Sequence, residues 1–163
     1  MPLEIERKFL VVDESWRKEA DTGIGMRQGY LSRNDKNSVR VRIAGDKASL
    51  NIKSATPGCV RREYEYPIPV AEAEELLAGL CIDEIIEKTR YHVRVGEFVF
   101  EIDVFSGANR GLVVAEIELE DLNQDFPRPA WLGREVSDEI RYYNSQLAHY
   151  PYREWTPAER GER

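Results

Sequence analysis

Cysteine is almost missing from this chain: Cys59 and Cys81 are the only two in 163 residues, and they stand in no metal-ligand spacing. A disulfide-stapled secreted scaffold is excluded, and the pair reads as reduced thiols of a cytoplasmic protein. No apolar run approaches the length of a membrane span. The N-terminus is charged from Glu4 and has no apolar stretch behind it, so no signal peptide is expected. Positive charge is in deficit, with 23 Lys and Arg against 30 Asp and Glu and a net charge of -7. General nucleic-acid affinity, which needs an excess of phosphate-neutralising side chains, is therefore not expected. Low-complexity segments are absent too. What remains is 42% hydrophobic and 33% charged, a composition that suits one globular domain, here 1–150, followed by a polar tail over 151–163 expected to be loosely held.

The charge falls in strands. Side chains on a strand alternate faces with a period of two, and Leu3 to Leu10 sends Glu4, Glu6 and Lys8 one way and Leu3, Ile5 and Phe9 the other, with Arg7 breaking the pattern. The pattern returns. Met26–Ser32 puts Gln28 and Tyr30 on one face, Val39–Ile43 puts Arg40 and Arg42 on one face, and Ser49–Ser54 does so with Asn51 and Lys53. Arg61, Glu63 and Glu65 share a face of the next strand, which Pro67 and Pro69 are expected to stop. Lys88, Arg90 and His92 follow within Ile85–Val95, Glu101 and Asp103 within Phe98–Val104, and Glu116 and Glu118 within Leu112–Glu120. One amphipathic helix is predicted over Val70–Leu80, and a second is expected to be capped by Ser137 and to run to about Tyr150.

Such strands admit two architectures. An open sheet would show its charges to water, whereas a closed barrel would turn them into its lumen and leave an apolar outer wall for helices or a second subunit to cover. Alternation alone does not choose. The distribution of sign is more telling: Val39–Ile43 and Ser49–Ser54 carry only cations, and the strands holding Glu101 with Asp103 and Glu116 with Glu118 carry only acids. A solvated sheet gains nothing by segregating signs, since like charges opposite one another destabilise it. A site for an anion and a metal ion does.

Together these pieces carry a resemblance. Glu4-x-Glu6-x-Lys8, Arg40-x-Arg42, Leu50-Asn51-Ile52-Lys53, Arg61-x-Glu63-Tyr64-Glu65, Glu87-Lys88-Thr89-Arg90, Glu101-x-Asp103, Glu116-x-Glu118 and Arg141-Tyr142-x-Asn144 occur in the order in which the CYTH superfamily, the triphosphate tunnel metalloenzymes, has them. The chain resembles that family from residue 3 to about residue 148. The resemblance implies an α+β fold built on a closed eight-stranded antiparallel β-barrel, a tunnel with a charged lumen and flanking helices. It also implies a small-molecule triphosphate substrate and Mg or Mn as cofactor.

On that reading Arg40, Arg42, Lys53, Lys88 and Arg90 cradle the phosphates, as fork-shaped guanidinium groups and ammonium groups do. Glu4, Glu6, Glu63, Glu65, Glu116 and Glu118 hold metal, with Glu101 and Asp103 close behind, because hard divalent ions take carboxylate oxygens. Lys8 and Arg61 are placed to stabilise developing charge, and Tyr30 to touch the terminal phosphate. The closing helix is expected to plug one tunnel mouth, although some relatives carry lysines where Ile140 and Ser145 stand here. Hydrolysis of inorganic tripolyphosphate is the first expectation. Adenylate cyclase of class IV, thiamine triphosphatase and a non-catalytic polyphosphate- or nucleotide-binding module are the alternatives, and a homodimer would cover an apolar barrel wall.

Overall fold

The structure is a computed structural model that describes residues 3–162. Its strands are β1 (Leu3–Val11), β2 (Ile24–Arg33), β3 (Asn37–Ala44), β4 (Lys47–Ser54), β5 (Val60–Ile68), β6 (Ile82–Val95), β7 (Phe98–Ser106), β8 (Val113–Glu118) and β9 (Leu132–Glu135). Two α-helices, α1 (Val70–Gly79) and α2 (Asn144–His149), accompany them. All strand pairs are antiparallel, in the order β5-β4-β3-β2-β6-β7-β8-β1, and β1 returns to pair with β5. Eight strands thus close into a barrel, as the resemblance implied. No helix among the described residues is long and apolar enough to cross a membrane.

The seam of the barrel is short. Only Leu3, Ile5 and the intervening Glu4 pair with β5, after which β9 takes over the same edge of β1 at Phe9 and Val11. This ninth strand lies in what reads, from the sequence, as an irregular connector. It forms because Arg7, the residue that breaks the alternation, turns outward and donates to both carboxylate oxygens of Glu135, at 2.9 and 2.6 Å. Gly133 lets the backbones meet, since a Cβ there would stand 2.9 Å from the Leu10 carbonyl oxygen. Pro67 sits inside β5 instead of ending it. Among the described residues no strand lies on the outer edge of β5 beyond Arg62, so a residue without an N–H costs that edge no ladder bond there.

Apolar faces point out and are covered on two sides. Ala73 and Leu77 of α1 pack on Val41, Ile43 and Ala48. Trp16 and Trp131 cover Phe9, Val93, Phe100 and Ile117, with Trp131 edge-on to Phe100 at 5.2 Å between centroids. The third cluster lies inside the barrel. Tyr30, Ile86, Phe105 and Val114 continue the lumen-facing rows of their strands past the charges, and they pack on Tyr142, Leu147 and Trp155. The lumen is therefore charged toward one end and apolar at the other, where the C-terminal segment stoppers it.

That segment is not the single helix expected from Ser137 to Tyr150. A 3-10 turn over Ile140–Tyr142 and the short α2 are separated by Tyr143, whose backbone is extended. The Tyr142 carbonyl, which a continuous helix would use for its own ladder, instead accepts from Lys8 Nζ at 3.2 Å. Ser137 caps no helix; its hydroxyl accepts from the Lys8 backbone N–H at 2.9 Å and donates to Glu135 at 2.7 Å. The tail is held as well. Trp155 is buried, edge-on to Tyr142, with its indole N–H donated to the Tyr150 carbonyl.

Candidate active site

A cavity of about 470 Å³ occupies the charged part of the lumen. Glu4, Glu6, Lys8, Tyr30, Arg40, Arg42, Lys53, Arg61, Glu63, Glu65, Lys88, Arg90, Glu101, Glu116 and Glu118 all line it. Asp103 stands apart: it is completely buried beneath the lining and accepts from Lys88 Nζ at 2.8 Å and from Arg90 Nε and Nη2 at 2.8 and 2.9 Å.

Register decides which charges meet. Lys53 stands opposite Glu63, and Arg90 opposite Asp103. Arg40 instead has the neutral neighbours Tyr30 and Asn51, and Arg42 has Gln28 and Ser49. Glu101 stands directly opposite Glu116, and Glu6 opposite Glu118, so acids gather on the β7-β8-β1 side of the ring.

The cations consequently fall into two groups. Lys53 contacts Glu4 and Glu63 at 3.2 and 3.9 Å, Lys8 approaches Glu116 at 3.7 Å, and Lys88 and Arg90 share Asp103. Arg90 also reaches Glu101 at 2.9 Å. Arg40, Arg42 and Arg61 have no carboxylate partner among the described residues. Arg40 is buried, and its Nε has no hydrogen-bond partner among the described residues. Arg42 donates to the Gln28 side chain, at 2.8 Å, and Arg61 lies over the Tyr143 ring, 4.6 Å from its centroid. Burial, with Arg40 and Arg90 nearby, lowers the Arg42 guanidinium to about 10.

The acids show the complementary stress. Glu6, Glu101 and Glu116 each offer a carboxylate oxygen, all within 4.8 Å of one another. Burial pushes the Glu6 carboxyl well above the usual carboxylate range, with Glu116 and Glu4 adding to the push. Burial would raise Glu116 too, but Lys8 and Arg90 hold it well below that range. Burial and a hydrogen bond with Glu63 raise Glu4. Oxygen donors so close together fit a hard divalent ion, whose oxygen ligands sit about 2.0–2.6 Å from the metal.

Several neutral residues hold this arrangement, among them Gln28 and Asn51, which alternation puts on the charged face without indicating what they do there. Gln28 is fully buried; it accepts from Arg42 and donates to Asn144 Oδ1 at 2.9 Å, and that oxygen also accepts from Lys88 at 2.9 Å. Asn51, also fully buried, donates to Glu65 at 2.8 Å and Glu63 at 3.3 Å. Tyr143, Asn144 and Ser145 enter the lining from the stopper. Asn144 lies in a motif of the resemblance, but its place in the site depends on the fold of the C-terminal segment.

Comparison with known proteins agrees with this architecture. The model of the CYTH domain matches residues 2–149. An inorganic triphosphatase of Acetivibrio thermocellus is 47% identical over 153 residues, covering 94% of this chain and 97% of that protein. One from Nitrosomonas europaea is 38% identical over 149 residues, covering 89% and 96%. The crystal structure of an inorganic triphosphatase superposes with a TM-score of 0.66 at 37% identity, covering 91% of this chain and 95% of that one. A match across nearly the whole length leaves one assignment, and the chain belongs to the CYTH domain family.

Proposed function

We propose that this protein is a metal-dependent triphosphatase that hydrolyses inorganic tripolyphosphate. The observation that carries the reading is the trio Arg40, Arg42 and Arg61, turned into the cavity without a carboxylate partner among the described residues. A buried cation left unpaired is costly, and a polyphosphate supplies the missing charge in the form that guanidinium forks bind best. The relatives named inorganic triphosphatase support the same substrate class.

Glu6, Glu101 and Glu116 would hold the metal, Mg or Mn, with Glu4, Glu63, Glu65 and Glu118 around them. When bound, such an ion offsets charge on phosphate oxygens and acidifies a water. The chain's own part is to bind and orient. Arg40, Arg42 and Arg61 grip phosphate oxygens, Lys8 offers its ammonium beside Glu116, and Asp103 fixes Lys88 and Arg90 so that both face the substrate. Water oxygen bonds to the terminal phosphorus, the bridging P–O bond breaks, and pyrophosphate and phosphate leave, with the water's proton released. Free thiols at Cys59 and Cys81 support a reducing, cytoplasmic setting.

The deciding assay supplies tripolyphosphate, ATP and thiamine triphosphate in turn, each with Mg or Mn. Phosphate from tripolyphosphate is expected, lost in excess EDTA. Cyclic AMP from ATP would move the assignment to a cyclase, and no product from any of them would leave a binding module. Arg40→Gln is expected to raise KM for tripolyphosphate roughly 10- to 100-fold, the worth of a charged hydrogen bond, without lowering Tm. An unchanged KM would remove Arg40 from the cradle.

A further inference from the structure

Arg61 is held in an unusual way for a lumen cation. It stands on the inner face of β5 opposite Glu4, yet Glu4 turns to Lys53, and no acid or hydrogen-bond acceptor engages Arg61 among the described residues. What it does meet is the face of Tyr143. Lys8 Nζ lies over the same ring, 5.4 Å from the centroid. The ring is itself pinned: the hydroxyl donates to the Ser137 carbonyl at 2.6 Å and accepts from the Gly58 N–H at 2.9 Å. Gly58 presents that N–H from a left-handed backbone conformation, φ +103°, which favours glycine. Tyr143 is thus locked across the seam where β5 and β9 part from β1.

We propose that Tyr143 is a positioning residue whose ring orients Arg61, and with it Lys8, for phosphate. The inference rests on the triphosphatase reading. An aromatic face attracts a cation through its quadrupole without taking up the N–H donors. A carboxylate in the same place would neutralise the guanidinium and occupy its fork. The platform therefore keeps Arg61 in place while leaving its charge and its donors for the substrate.

The test compares wild type, Tyr143→Phe, Tyr143→Leu, Arg61→Ala and the Arg61→Ala/Tyr143→Leu double variant in steady-state turnover of tripolyphosphate with Mg. Tyr143→Phe keeps the ring and loses only the hydroxyl bonds, so it should melt at a lower temperature yet stay within about threefold of wild type in kcat/KM. Tyr143→Leu should lose about tenfold. In the Arg61→Ala background the same change should cost less than about threefold, because its effect runs mainly through Arg61. The inference is overturned by an unchanged Tyr143→Leu, by a Tyr143→Phe as impaired as the leucine variant, or by a leucine penalty that is undiminished without Arg61. Should Tyr143→Leu fail to fold, pentafluorophenylalanine at 143 keeps the shape and reverses the face's polarity; turnover equal to that of the phenylalanine variant overturns the proposal, and a similar tenfold loss supports it. A wild type inert toward tripolyphosphate defeats the underlying reading and this inference with it. An active wild type with any of the overturning results defeats the inference alone.

Discussion

Replacing Asp103 with alanine is expected to destabilise the protein by about 3–5 kcal/mol, the usual cost of leaving a buried charge without its partner. Asp103 has no exposed surface, and its two carboxylate oxygens serve Lys88 and both Arg90 nitrogens that face it. Burial by itself would raise its carboxyl, but Arg90 and Lys88 hold it well below the usual range, so the group is ionised at neutral pH. Without it, two buried cations remain close together; burial already pulls the Lys88 ammonium down to about 7. Asp103→Asn, which keeps the shape and loses the charge, should fall between the two. Urea unfolding measures the difference, and a loss under about 1 kcal/mol for Asp103→Ala would mean that the pair is compensated elsewhere. The same experiment separates support from ligation. A residue that only positions Lys88 and Arg90 loses stability when truncated, whereas a dedicated metal ligand in a crowd of acids tends to gain it.

Much of the barrel was legible because a strand's period is two. Glu4, Glu6 and Lys8, or Arg40 and Arg42, could lie only on a common face, and the segregation of sign by strand indicated that the face was occupied by something charged. The end of the lumen was legible in principle as well. Ile86, Phe105 and Val114 sit two residues from Lys88, Asp103 and Glu116 on the same faces, so the switch from charged to apolar marks the floor. What the sequence could not show was register. Whether Arg40 meets an acid or Asn51 depends on a pairing offset that alternation leaves open, and a slip of two residues would preserve every face while changing every partner. The ninth strand and the broken final helix were hidden for a related reason. Leu132–Glu135 is a strand because Arg7 grips Glu135, and the helix breaks where Lys8 engages the Tyr142 carbonyl. Both are consequences of contacts more than a hundred residues apart in sequence.

Glu6→Gln should show the opposite balance from Asp103→Ala: a more stable protein that has lost its activity. Glu6, Glu101 and Glu116 crowd within 4.8 Å, where each ionised pair repels by roughly 3–4 kcal/mol at a moderate effective dielectric. Arg90 offsets Glu101 and Lys8 offsets Glu116, but no cation lies within ion-pair distance of Glu6 among the described residues. Its carboxyl is pushed well above the usual range, so wild type bears either the repelled charge or the cost of taking up a proton to shed it. Glutamine avoids both without orphaning a partner, and in EDTA the variant should be more stable than wild type by about 1–2 kcal/mol, a gain of the size seen when surfaces or sites are relieved of conflict. Added Mg or Mn should then raise the Tm of wild type and leave the variant nearly unmoved, because binding stabilises only a protein that binds. Phosphate release from tripolyphosphate should fall by roughly 100-fold or more. Thermal melts with and without metal, beside the turnover assay, distinguish the possibilities. A variant that keeps both the metal-dependent shift and the turnover would show that the ion sits elsewhere in the lumen. A variant less stable in EDTA would show that the Glu6 carboxylate supports the fold, and that the repulsion among the three acids is relieved by protons rather than awaiting a metal.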